Sequence, residues 1–221
     1  ENKLDQFDEF IDSQKKGGPT NNTLGGLFKI KLKNHLVFFD IGGPPKKKFS
    51  KSYQSGPLSF EYYLDGVKII TNCGFGKNIS NKAELLSRLT ACQSSLTLND
   101  TTVTKFERNK LVNRVFGNSI KNSFKTYDVN IKNEKDLIGC SVSHNGYEKN
   151  FGCTHKREIY LDKENNYIKG YDHIVKKKDG IPIRYVFRFH INPKLTVVKT
   201  INGNSALIQV SKNKSLLFTV I

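Results

Sequence analysis

The side chains best able to do chemistry in this sequence are histidines, lysines and cysteines, and their spacing limits what they can do. His144, His155, His173 and His190 do not fall at metal-ligand spacings. His155 and Arg157 lie two apart in a run that alternates like a strand, so they share a face. On that face they could line a cleft together; the other roles open to them are in the core or on a strand surface. Lys46, Lys47, Lys48 and Lys51 follow Gly42-Gly43-Pro44-Pro45, a loop by composition. Those lysines could meet the carboxylates or sulfates of a substrate, or simply keep the loop solvated. Cys73, Cys92, Cys140 and Cys153 form no C-x-x-C pair, which argues against a zinc knuckle. Cys140 and Cys153 flank the turn signal Asn145-Gly146 and could pair across a hairpin, with buried free thiols as the alternative. No P-loop, nucleophile elbow, dinucleotide fingerprint or H-E-x-x-H motif is present.

The elements that must position these groups read as strands. Phe28, Ile30 and Leu32 alternate with lysines, and His35 to Ile41 follows after a turn at Lys33-Asn34. Leu58, Phe60 and Tyr62 alternate with Ser59, Glu61 and Tyr63, and Asp65-Gly66 is the two-residue signal for a tight hairpin. An uninterrupted hairpin from that turn sets Asn72 opposite Ser59. Residues 81–89 read as one or two helical turns, 101–106 as a short strand, and 113–125 as loop. Leu96–Leu98, Tyr127–Ile131, Asp136–His144, Tyr167–His173, Ile183–Ile191, Leu195–Val198, Ala206–Val210 and Leu216–Ile221 complete a series of short strands, with a turn at Asp179-Gly180. About a dozen strands at roughly 8–12-residue spacing predict an all-β, antiparallel two-layer sandwich. Residues 1–16 repeat Leu4, Phe7 and Ile11 at helical spacing, and Lys16 to Asn22 has the composition of a linker.

Several blocks, in order and at matching spacing, resemble the C-terminal β domain of heparinase II/III-like polysaccharide lyases. Members of that family run roughly D-x-G-P-P, H-A-G-x-L-S-F-E, I-V-N-C-G and A-A-H-S-T-L-x-L-D-D. Here the matching text is Asp40 to Pro45, Gln54 to Glu61, Ile70 to Gly74 and Ala91 to Asp100. Gly146, Tyr147, Gly152, His155, Arg157 and Leu161 keep a second pattern, and Arg188-Phe189-His190-Ile191-Asn192-Pro193 a third. The resemblance implies residues 1–23 as a helix remnant and linker from a missing helical toroid domain, and 24–221 as the β-sandwich domain. It also implies a lyase that cleaves uronate-containing, anionic polysaccharide by β-elimination, in the periplasm or cell envelope of a Gram-negative bacterium.

β-Elimination needs the uronate carboxylate neutralised, a base for the α proton and an acid for the leaving oxygen. By resemblance most of these groups come from the helical domain, and the β domain adds histidines and, in some members, a zinc site. Carried over, the zinc positions are Gln54, Asn72 and Gln93, and Ser52 stands where a further histidine is found. Amides are poor zinc ligands, so the implied zinc site is degraded and no cofactor is expected. Gln54, Asn72 and Gln93 then either bond to one another and to loop backbone or contact sugar hydroxyls. An extended chain would hold Gln54 roughly 16 Å from Ser59, so the three meet only if the chain bends at Gly56-Pro57. The chain alone is expected to be weak or inactive; the alternative is a non-catalytic carbohydrate-binding module or the remnant of a decayed lyase gene.

Composition sets the outer bounds. The 221 residues suffice for one sizeable β domain. The net charge of +16 points to an anionic partner or surface, or to a general lysine bias, since lysine is spread along the whole chain. A nucleic-acid partner rests on charge alone, because the aromatics alternate into the core. No apolar run reaches the length of a membrane span. The absence of Met suggests a processed chain, an excised domain or a fragment.

Overall fold

Alternation of apolar and polar side chains builds the first sheet. A computed structural model describes residues 23–177, 183–201 and 203–221; the helix expected within 1–16, the linker after it and the turn at Asp179-Gly180 lie outside these. Strands β1 (Thr23–Leu24), β2 (Leu27–Leu32), β3 (His35–Asp40), β4 (Phe60–Leu64) and β5 (Val67–Thr71) pair antiparallel in chain order, and β12 (His190–Ile191) joins at the β5 edge. Phe28, Ile30, Val37, Phe39, Phe60, Tyr62 and Leu64 all point inward from these strands and are buried. Each such side chain contributes about 1.5–3 kcal/mol of hydrophobic stabilisation relative to exposure.

The hairpin at Asp65-Gly66 forms as expected, with both residues at positive φ (52° and 78°), the type I′ geometry that matches strand twist. The register expected beyond it does not hold. Leu64 pairs with Val67 and Tyr63 with Lys68, but Tyr62 pairs with Ile70. This β-bulge turns both Ile69 and Ile70 into the core. The shifted register carries Asn72 level with Phe60, not Ser59.

The second sheet packs over the first and has the order β10-β9-β8-β7, from β7 (Thr126–Asn133), β8 (Leu137–His144), β9 (Cys153–Asp162) and β10 (Tyr167–Lys176). A third sheet of β13 (Thr196–Lys199), β14 (Ser205–Ser211) and β15 (Lys214–Thr219) supplies Ile208 and Val210 to the same core. The result is an antiparallel β-sandwich. Cys140 pairs with Ile159 and Cys153 with Lys176, so these two cysteines do not face each other, and both are free.

Three local expectations change. Residues 101–106 form no strand beyond a single bridge of Phe106 to Ile120, because the N–H groups in their middle bond to side chains: Val103 to Thr90 Oγ1, Thr104 to Ser55 Oγ and Lys105 to Asn122 Oδ1. Within 113–125 the chain begins as a helix, α2 (Lys110–Phe116), started by Asn109, whose Oδ1 accepts from Leu111 N and Val112 N. It follows α1 (Asn81–Ser87), capped by Ser80 through Ala83 N. The run expected as one strand at 183–191 splits in two: β11 (Tyr185–Phe187) pairs with β6 (Leu96–Leu98), and β12 crosses to β5.

Candidate functional site

Ser94 holds the expected site together. It is buried, and its backbone N–H donates to Asn72 Oδ1 at 2.8 Å. Its hydroxyl donates to Thr71 O at 2.7 Å and accepts from His190 N at 3.0 Å. Its carbonyl accepts from Arg157 Nη1 at 2.8 Å. One residue thus ties β5, β12 and β9 to the segment that carries Gln93.

The bend needed at Gly56-Pro57 is present. Ser59 N bonds back to Gly56 O at 3.0 Å, and Leu58 takes a positive φ of 56° at the third position of the turn. A Cβ on Gly56 would lie 2.9 Å from both Gln93 Cγ and Ser59 Oγ, so only glycine lets the segments approach this closely. Gln54 and Gln93 therefore meet, with Gln93 Nε2 3.5 Å from Gln54 Oε1 and 2.9 Å from Ser87 O. Asn72 joins through the backbone of Ser94 instead of a direct side-chain contact.

This donor set does not fit zinc. Gln93 directs amide hydrogens toward Gln54, where a metal ligand would direct a lone pair, and the Asn72 oxygen is already engaged. Among the described residues no group of three His, Cys, Asp or Glu is placed to hold a metal ion.

His155 and Arg157 do not line an open cleft. Both are buried, because the odd-numbered residues of β9 face inward, where their partners are His144 and Val142. Arg157 lies directly across from Asp172 on β10 and grips it with Nε and Nη2 at 2.8 and 3.0 Å. Its Nη1 reaches Leu58 O and Ser94 O, both at 2.8 Å, and its guanidinium carbon lies 5.6 and 5.8 Å from the ring centres of Phe60 and Phe189. Burial opposes ionisation of Asp172, but Arg157 and His155 outweigh it and hold the carboxyl well below the usual range.

His190 also belongs to this cluster, through its N–H to Ser94 Oγ. The Arg188-Phe189-His190 motif was legible, but nothing in it showed that β12 pairs with β5 beside Asn72. The His190 ring donates from Nε2 to Ala91 O at 3.0 Å, which leaves Nδ1 as its lone-pair nitrogen. It is half-buried, adjoins Ser94 and could act as a base or acceptor at this end of the sandwich.

Lys46, Lys47 and Lys48 are exposed. Residues Lys47–Phe49 form a 3-10 turn where only irregular loop was expected, because Phe49 N and Ser50 N bond back to Lys46 O and Lys47 O. Two shallow hollows share Lys121, Asn122 and Ser123, and the smaller of them adjoins this turn. The smaller, of about 240 Å³, takes in Lys46 and Lys47; the larger, of about 660 Å³, adds Lys105, Lys125 and Lys149. Together they make a groove with six lysines and one acid, Glu148, which is paired with Lys177 at 2.7 Å. The segment from Lys46 to Gln54 links groove and amide cluster. Buried Arg88 fixes its path through Ser50 O at 2.9 Å and Tyr53 O at 2.8 Å.

A family model described as heparinase II/III-like, C-terminal, matches residues 19–220. The chain belongs to this family. FtsZ-localized protein C of Caulobacter vibrioides is 24% identical over 190 residues, which are 80% of this chain and 31% of that protein. The heparan sulfate lyase HepC of Pedobacter heparinus superposes on 95% of this chain and 30% of its own, with TM-score 0.66 and 15% identity. A structure of heparinase III covers 86% and 27%, with TM-score 0.60 and 13% identity. At these identities the structural likeness is one of fold. The heparinase II/III-like domain described here spans about a third of the length of each of these relatives. No described helix is long and apolar enough to cross a membrane.

Proposed function

We propose that this heparinase II/III-like domain binds an anionic, uronate-containing polysaccharide along the lysine groove, as the C-terminal part of a lyase that acts by β-elimination. The observation that carries this reading is the groove itself: six lysines converge on one face around Asn122 and Ser123, which can bond sugar hydroxyls. In this reading a helical domain elsewhere in the parent protein supplies most of the base and acid, and the chain alone turns over weakly or not at all. No resident zinc takes part, because amides occupy the positions where the resemblance places ligands. By family resemblance the parent protein would work in the periplasm or cell envelope.

A second reading is a non-catalytic carbohydrate-binding domain or the remnant of a decayed lyase. The amide pair Gln54–Gln93 favours it, because neither side chain can serve as a base. So does the FtsZ-localized relative, whose name refers to localisation.

The test is to incubate the chain with heparan sulfate and with alginate, follow the ultraviolet absorbance of unsaturated uronate, and measure binding in parallel. Binding that weakens with salt, with little or no product, is expected. Steady turnover would show that this domain holds its own base and acid, with His190 the first candidate. Absence of binding to either polymer would defeat the groove reading and the binding-domain reading and leave the decayed remnant.

A further inference from the structure

Two cysteines outside the groove come together at the amide cluster. Cys73 directly follows Asn72 at the end of β5, and Cys92 directly precedes Gln93. The Cys73 N–H donates to Cys92 O at 3.0 Å, and the two thiols are within hydrogen-bonding reach of each other. That backbone bond and the contact between the thiols set the two residues side by side, the arrangement a disulfide needs. Cys73 is exposed and Cys92 half-buried, so an oxidant can reach the pair. Cys140 and Cys153 are buried on other strands and offer no competing partner.

We propose that Cys73 and Cys92 are a disulfide site, closed by exchange with a small-molecule disulfide such as oxidised glutathione. The Cys73 thiolate attacks the glutathione S–S bond, forms a mixed disulfide and expels one glutathione thiolate. The Cys92 thiol loses its proton to solvent and attacks Cys73 Sγ, expelling the second glutathione. Two protein thiols are oxidised, giving up two electrons and two protons, and one glutathione disulfide is reduced to two glutathiones. Burial and the neighbouring Cys92 push the Cys73 thiol up to about 11. Such thiols exchange slowly and leave slowly, so the bond, once formed, resists reduction.

The bond would staple the end of β5 to the turn before Gln93. It encloses Gly74–Ala91, which includes α1, and fixes the flanks of both Asn72 and Gln93. Closing a loop of this size raises the melting temperature of a domain this large by roughly 5–10 °C.

The test is to equilibrate the chain at graded ratios of oxidised to reduced glutathione, block free thiols with N-ethylmaleimide in the native state, and digest without reductant for mass spectrometry. A linked peptide joining Cys73 to Cys92 is expected, together with a higher melting temperature. In Cys92→Ser, Cys73 should stop at the glutathione adduct and the rise should vanish. Both cysteines blocked by maleimide after oxidation, a persistent glutathione adduct in the unaltered chain, or a linked peptide containing Cys140 or Cys153 would overturn the proposal.

Discussion

His144 Nε2 lies 3.2 Å from His155 Nδ1 across the β8–β9 pair, and the direction of that hydrogen bond is fixed by its flanks. Gly146 N–H donates to His144 Nδ1 at 3.0 Å, so the proton of His144 is on Nε2 and is given to His155. His155 must then carry its own proton on Nε2, which it donates to Asp172 at 2.7 Å. Two neutral imidazoles thus carry a chain of hydrogen bonds from the β8–β9 connection to the Arg157–Asp172 pair.

That chain predicts acid sensitivity. Burial lowers the pKa of both histidines below the ordinary 6.5; for His144 the charges of His155 and Arg157 add to this, and for His155 the Asp172 bond opposes it. Below 6.5 these two histidines therefore bind more protons in the unfolded chain than in the folded one, and their contribution to stability falls as pH falls. Each histidine can contribute up to about 1.4 kcal/mol per pH unit. The urea midpoint, measured from pH 8 to pH 5, should decline below 6.5 and decline less in His144→Gln. An equal slope in both proteins would contradict the assignment.

Asp40 predicts the opposite sign. It sits half-buried at the end of β3, and burial pushes its carboxyl up to about 7 against the opposing bond from Gly42 N–H at 3.0 Å. Between 3.8 and 7 the folded state holds the extra proton, so this group loses stability as pH rises. Asp40→Asn keeps the acceptor for Gly42 and removes the charge. It should stabilise the chain at pH 8 and be close to neutral at pH 4, as read from paired denaturation curves.

The strands of the sandwich were legible because their apolar side chains alternate: Phe28 and Ile30, Val37 and Phe39, Phe60 and Tyr62. The bulge at Ile69-Ile70 was not, since two adjacent isoleucines fit either register until packing selects one. Helix α2 was hidden because Lys110–Phe116 has mixed polarity and its start depends on the Asn109 cap. At the candidate site, the family resemblance pointed to Gln54, Asn72 and Gln93 but could not show that Ser94 joins this segment to Asn72 and His190. For His155 and Arg157 the sequence left cleft, core and strand surface open, because a shared face says nothing of which way it turns; packing turns it inward.

Arg157 predicts a large stability effect with no groove contact involved. It serves Asp172 and two backbone carbonyls on other segments, Leu58 O and Ser94 O. Arg157→Met would leave the mostly buried Asp172 carboxylate with only the neutral His155 as partner and strip Leu58 O and Ser94 O of the guanidinium, at a cost of about 3–5 kcal/mol. Arg157→Lys should recover only part of this, because an ammonium cannot reproduce the planar fork. Guanidinium denaturation of the three proteins orders them; a lysine variant as stable as the original would contradict the bidentate role.

The groove predicts a graded loss of anion binding. Lys46, Lys47, Lys121 and Lys125 have exposed side chains, and Lys121 pairs with Glu107 at 3.4 Å. Reversing all four to glutamate should lower heparan sulfate affinity by roughly tenfold or more and flatten its salt dependence, with little change in melting temperature. Titration at two ionic strengths measures both. Unchanged affinity would move the binding surface elsewhere on the sandwich.

The amide cluster predicts a gain of function. Gln54 and Gln93 already approach each other, and Asn72 Oδ1 accepts a bond that an aspartate could accept as well. Combining Gln54→His, Asn72→Asp and Gln93→His in one chain supplies two imidazoles and a carboxylate, a donor set that suits zinc. Gly56 gives the room for this, since its missing Cβ lets the Gln93 side chain pass against the turn. The triple variant should retain close to one zinc per chain through gel filtration, with a Kd of about 1 μM or tighter, equivalent to about 8 kcal/mol. The unaltered chain should retain well under one. Metal analysis of both separates the outcomes: zinc on the unaltered chain would mean that ligands other than these amides hold it, and no zinc on the variant would mean that Ser94 holds the side chain at position 72 too far from the other two to close a site.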